Sequence, residues 1–121
     1  MGEKRIIYIQ TSSVDTIERT YAPFILAITA VAMGIDASVY FMMRGCTILR
    51  NAEAESVKLR GMPCLKDVLN KAVKSGVKLT VCVQSCALLG FRREDLVESA
   101  EVVGAATLND HILDADAVLC F

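Results

Sequence analysis

At 121 residues, the chain is sized for one domain with its own core, at the small end for an α/β protein. Hydrophobic residues make up 54% against 22% charged, and the mean hydropathy is +0.45; that is apolar for a monomer of this size, so part of the surface is expected to meet another subunit. A net charge of −1 and 6% aromatic residues, without a basic stripe, argue against nucleic acid and against an anionic membrane surface as partners.

The opening Met1 to Tyr8 is a short charged lead into a strand, without the apolar core and cleavage site of a secretory signal. The longest weakly polar stretch, Tyr21 to Ile35, contains Pro23 and is shorter than the roughly 20 residues a bilayer requires. Five cysteines are an odd number with no regular framework, which fits free or catalytic thiols in a reducing compartment. The location expected from these features is cytoplasmic.

Short β-branched runs alternate with helical ones. Arg5 to Ile9 predicts the first strand and Val14 to Met33 a long helix, with Pro23 at a break or restart. Ala37 to Met42 predicts the second strand. A loop with Gly45 and Cys46 follows, and 51–61 carries no clear pattern. Pro63 opens a helix near its first turn that runs to Gly76, a suitable C-terminal stop. Val77 to Val83 reads as a buried strand, Gln84 to Leu89 as the start of a helix, and Arg93 to Glu98 as a second one. Glu101 to Val103 is a strand, Leu108 to Leu113 a helix, and Ala117 to Phe121 the last strand. This alternation predicts a three-layer α/β/α fold with a five-stranded, mainly parallel sheet covered on both faces, in a single domain over 1–121.

In such sheets ligands gather at the carboxyl ends of the strands. Cys82 stands at one such end, where unpaired N–H groups of the next helix and its dipole favour an anion. Chemistry on sulfur is the functional reading; the alternative is that Cys82 and Cys86 are small apolar fillers of the core. Thr11, Ser12 and Ser13, after the first strand, could bind an anionic substrate, or one of them could cap the following helix. Cys46 and Gly45 are expected close to Cys82, because consecutive parallel strands deliver their loops to one edge. Arg44 could add positive charge there or simply face solvent. Cys86, one helical turn beyond Cys82, could resolve an oxidised form or accept sulfur. Cys64 and Cys120 read as packing residues, and the scattered methionines Met33, Met42, Met43 and Met62 as core filling.

Competing chemistries are poorer. A Cys-x3-Cys pair with one distant histidine, His111, is a weak zinc signal, and His111 reads as a surface helix residue rather than a base. No glycine-rich phosphate loop follows the first strand. The reading therefore calls for no metal and no cofactor.

Phe41 to Leu49, Val81 to Gly90, Val103 to Leu108 and Ala115 to Phe121 follow one another in an order that resembles the DsrE/DsrF-like sulfur-relay family, in its DsrE branch. The sharpest element is a cysteine ending the central strand with a glycine at the spacing from Cys82 to Gly90. The resemblance covers essentially the whole chain. It implies that Cys82 carries a persulfide or thiosulfonate and passes it to a partner, and that a sulfur-donor or sulfur-acceptor protein is a partner; Gln84 and Ser85, beside Cys82, are expected to bind substrate together with Thr11, Ser12, Arg44, Gly45 and Cys46. The alternative is a binding or redox-regulatory module of the same fold without turnover. An apolar outer side on Ala22 to Met33 predicts a dimer, trimer or hexamer, and the resemblance points the same way.

Overall fold

Five short runs rich in Ile, Val, Leu and Tyr pair into one sheet in the computed structural model, which describes residues 4–121. The strands are β1 Arg5–Gln10, β2 Asp36–Phe41, β3 Lys78–Cys82, β4 Ala100–Val103 and β5 Ala117–Cys120. Their order is β4-β3-β2-β1-β5, and every pairing is parallel. The helices are α1 Ile17–Ala32, α2 Leu65–Ser75, α3 Val83–Leu89 and α4 Ala105–Asp114. Met1 to Glu3, the start of the charged lead, lie outside the described residues.

The chain steps from β1 to β4 in one direction, so right-handed crossovers put α1, α2 and α3 on the same face. The crossover to β5 runs the opposite way and puts α4 on the other. Side chains sort accordingly: Tyr8, Val39, Phe41, Leu79 and Val81 pack with Phe24 and Ala27 of α1, Leu65 and Leu69 of α2 and Cys86 of α3. Ile7, Ile9, Tyr40 and Val103 pack with Leu108 of α4. The sheet is thus covered on both faces, as the three-layer reading expects, but by unequal layers: a single ten-residue helix covers one of them.

Several elements differ from the sequence reading for identifiable reasons. α1 starts at Ile17 because Ser13 to Thr16 form a turn, with Thr16 N donating to Ser13 O at 3.2 Å. It passes through Pro23 unbroken, since that residue is buried in the helix and packing outweighs one missing backbone bond. Pro63 lies before α2, with Cys64 at the N-cap; its carbonyl accepts a bond from Tyr21 Oη at 2.6 Å. At 93–98 only a single 3₁₀ turn forms, Arg93–Asp95. The Arg93 guanidinium donates to the carbonyls of Leu96, Val97, Glu98 and Ala100, which fixes the segment in a non-helical course. The 51–61 stretch holds one 3₁₀ turn, Ala54–Ser56.

The core-filling reading fails for Met33 and Met43, which are 68% and 56% exposed. It fails for Cys120 too, because every residue of β5 is exposed. β5 is an edge strand, with β1 as its only neighbour among the described residues. Among the described residues no helix is long and apolar enough to cross a membrane.

Candidate functional site

The carboxyl edge of the sheet is assembled from the ends of β1, β2 and β3. After β2 the chain turns through a 3₁₀ segment, Met43–Leu49, which is seated on the end of β1. Gly45 lies so close that a Cβ there would stand 2.0 Å from the Gln10 carbonyl oxygen. Met42 N donates to the same oxygen at 3.1 Å, and Met43 N donates to Ser85 Oγ of α3 at 2.8 Å. One loop therefore ties three strand ends together, and only glycine fits at its closest approach.

Cys82 ends β3 and is the N-cap of α3. Its side chain shares a sheet face with Thr80, by strand alternation. The thiol donates to Gln84 Oε1 at 3.5 Å; Gln84 itself is exposed and Ser85 buried. Cys46 and Cys86 lie inward as neighbours, and the Cys46 thiol donates to Phe41 O at 3.4 Å. Burial, reinforced by the neighbouring Cys86 thiol, pushes the Cys46 thiol up to about 12. Burial likewise raises Cys86. Both inner thiols are therefore held in the protonated form, unsuited to nucleophilic attack at neutral pH. Cys82 is the outermost of the three, though only 9% exposed against 6% for Cys86 and 0% for Cys46.

The loop after β1 is occupied by its own structure. Thr11 donates from both its backbone N and its Oγ1 to Phe121 O, at 2.7 and 2.8 Å. Ser12 O accepts a bond from Gln10 Nε2 at 2.9 Å, and the Ser13 hydroxyl bonds the Asp15 carboxylate. The expectation that one of these three hydroxyls caps α1 is corrected, because the N-cap is Thr16 and there is no side-chain capping bond. Arg44 is exposed. The Asp15 carboxyl is held low first by the Ser13 hydroxyl and, more weakly, by the Arg44 charge.

Two cysteines lie elsewhere. Cys64 is half-buried and donates to the Ala54 and Glu55 carbonyls at 3.3 and 3.2 Å, and Cys120 is exposed on β5. His111 sits on α4, edge-on to Tyr40, with ring centroids 5.6 Å apart. Among the described residues no three His, Cys, Asp or Glu side chains gather as metal ligands would. Gln10 was not anticipated: it is fully buried, and its Oε1 has no hydrogen-bond partner among the described residues. A glutamine closing an otherwise apolar strand was the available signal.

The model of the DsrE/DsrF-like family matches residues 4–121. The chain belongs to the DsrE/DsrF-like family. Within curated proteins, this DsrE-like chain is 29% identical over 107 residues to the uncharacterized protein MJ0760 of Methanocaldococcus jannaschii, covering 88% of this chain and 39% of that protein. It thus spans about two fifths of that relative's length. It is 26% identical over 104 residues to MJ0989 of the same organism, covering 86% of this chain and 88% of the other. Among solved structures, YchN from E. coli superposes with a TM-score of 0.73 at 17% identity, over 99% of this chain and all of YchN (100%). At that identity the likeness is one of fold, and it includes the α/β/α layering around a parallel sheet.

Proposed function

We propose that this DsrE-like protein is a small cytoplasmic sulfur carrier that loads a sulfane sulfur on Cys82 and hands it to a partner protein. The observation that carries the reading is the position of Cys82: it ends β3, the strand beside the sheet's middle one, at the carboxyl edge and is the outermost of three neighbouring thiols. Family membership supports it. In loading, the Cys82 thiolate attacks the outer sulfur of a persulfide donor. The Sγ–S bond forms, the donor S–S bond breaks, and the donor leaves as a thiolate that takes up a proton. In unloading, an acceptor thiolate attacks the outer sulfur and regenerates the Cys82 thiolate, so the cycle needs no outside oxidant. With a thiosulfonate donor the group transferred differs while the nucleophile is the same.

Gln84 accepts the Cys82 thiol hydrogen and, being exposed, can swing aside on the timescale of surface rotamers. It is the natural gate over the sulfur. The raised thiols of Cys46 and Cys86 disfavour an accepting role for either while they stay buried. The depth of Cys82 in one chain favours a second reading, a redox-regulatory or binding module of the same fold. The DsrE-like chain is also proposed to form a homo-oligomer through the outer side of α1, where Ile25, Leu26, Thr29 and Met33 are exposed at helical spacing.

The test is intact mass after incubation with polysulfide, in a Cys120→Ser background so that the exposed β5 thiol does not confuse the count. The expected result is one added sulfur, lost in Cys82→Ser and kept in Cys86→Ser and Cys46→Ser. Sulfur retained on Cys82→Ser, or none on a folded protein with Cys82 intact, would remove the carrier reading and leave the second one.

A further inference from the structure

The face of the sheet that carries α4 is only partly covered. Beside that helix, over the N-terminal half of the strands, lies a cavity of about 380 Å³, within the usual size range of small-molecule sites. Its floor is formed by Ser38 and Tyr40 of β2 and Thr80 of β3. Tyr40 and Thr80 are 3% and 5% exposed, and neither hydroxyl has a hydrogen-bond partner among the described residues. Neither oxygen is sealed off, since the buried side-chain atom left without a partner among the described residues is Gln10 Oε1; both hydroxyls therefore open on the cavity and are free to bond a ligand.

The rim carries charge of both signs. At one end Arg5 is paired with Asp36 at 3.4 Å and with Asp114. Lys78 and Glu101 also line the cavity, and neither forms an ion pair with a described residue. They are diagonal neighbours on one face: Glu101 is in register with Thr80, and Lys78 lies two residues before Thr80. This arrangement selects among ligands. A simple anion would meet Lys78 but also the Glu101 carboxylate, and a simple cation would face the reverse conflict. A zwitterion answers both charges, and its polar atoms meet the unpartnered hydroxyls below.

We propose that this groove binds a free α-amino acid, its carboxylate on Lys78 and the Thr80 hydroxyl, its ammonium on Glu101. The side chain of the ligand lies toward His111, which lines the same cavity. Cys82 is on the same face of β3, but the groove does not include it; the site therefore stands whether or not Cys82 carries sulfur.

The experiment is a ¹H–¹⁵N correlation titration of the full chain with each proteinogenic amino acid in turn at millimolar concentration. The expected result is saturable shifts at the Ser38, Tyr40, Thr80 and Glu101 amides with at least one of them. The N-acetyl derivative and the methyl ester of that amino acid, each lacking one charge, bind about tenfold more weakly or less. Lys78→Gln and Glu101→Gln each bring a similar loss; both side chains are on the surface, and preserved spectral dispersion reports that the variants fold. Four results would overturn the proposal: no groove shifts with any amino acid, equal binding of the blocked derivatives, undiminished binding by both variants, or shifts confined to the cysteine edge.

Discussion

Gly45→Ala tests how tightly the loop after β2 is seated on β1. The added Cβ would stand 2.0 Å from Gln10 O and 2.7 Å from Gln10 C, whereas relaxed C···O contacts begin near ~3.3 Å. The atoms in the way are backbone of a central strand, so the loop must retreat by on the order of 1 Å. Overpacking of this kind costs about 1–3 kcal/mol. The Met42 N to Gln10 O bond stretches or breaks, for about 1 kcal/mol more. Alanine returns about 0.4–1 kcal/mol by restricting the unfolded chain. The net expectation is a loss of roughly 1–3 kcal/mol, read as a lower urea midpoint at unchanged m-value. Gly104→Ala is the control, since nothing lies within 4 Å of its Cβ position and its φ of −86° suits any residue; it should change stability by less than about 1 kcal/mol. Equal midpoints for wild type and Gly45→Ala would refute the reasoning.

Three further outcomes are expected. The raised Cys46 thiol binds a proton in the folded state that the unfolded chain has released above its ordinary value of 9.0. Stability is therefore whole below pH 9 and falls as pH rises from there toward about 12, at roughly 1 kcal/mol per pH unit; a Cys46→Ala chain that loses alkaline stability just as steeply would contradict this. Arg93→Ala should cost about 2 kcal/mol in urea unfolding, because four backbone carbonyls lose their shared donor, and Arg93→Lys should recover little because an ammonium lacks the fork. Leu26→Lys, on the exposed side of α1, should lower the mass seen by light scattering to that of one chain without altering the circular dichroism; an unchanged mass would place the contact elsewhere.

The strands were readable because each is a short run of branched apolar residues between turn signals, and β1 to β4 neighbour one another in chain order. The gathering of Cys46 and Cys82 at one edge follows from that order. What escaped was information held in long-range partners. Nothing local says that Arg93 will spend its guanidinium on carbonyls and deny that stretch a helix, or that Pro63 will be pinned by Tyr21. Ala-Val-Leu-Cys in β5 has the composition of a buried strand, and only topology puts it at an uncovered edge. In β3, Lys78, Thr80 and Cys82 alternate with Leu79 and Val81, which marks one polar-facing side; reading the run as a buried strand passed over that side.

β1 and β5, far apart in sequence, are joined side by side. Asp116 Oδ2 accepts from Arg5 N at 2.8 Å, and Phe121 closes on Ile9 and Thr11. Among the described residues β5 pairs with β1 alone, so its contacts join segments 111 residues apart. β1 to β4 neighbour one another in chain order, so β5 is the strand whose docking closes the longest loop. Exposed along its whole length, β5 is the kind of thinly covered element from which local openings are drawn. The Thr11 loop is fastened to Phe121, so each such opening would also loosen the edge on which Cys82 sits.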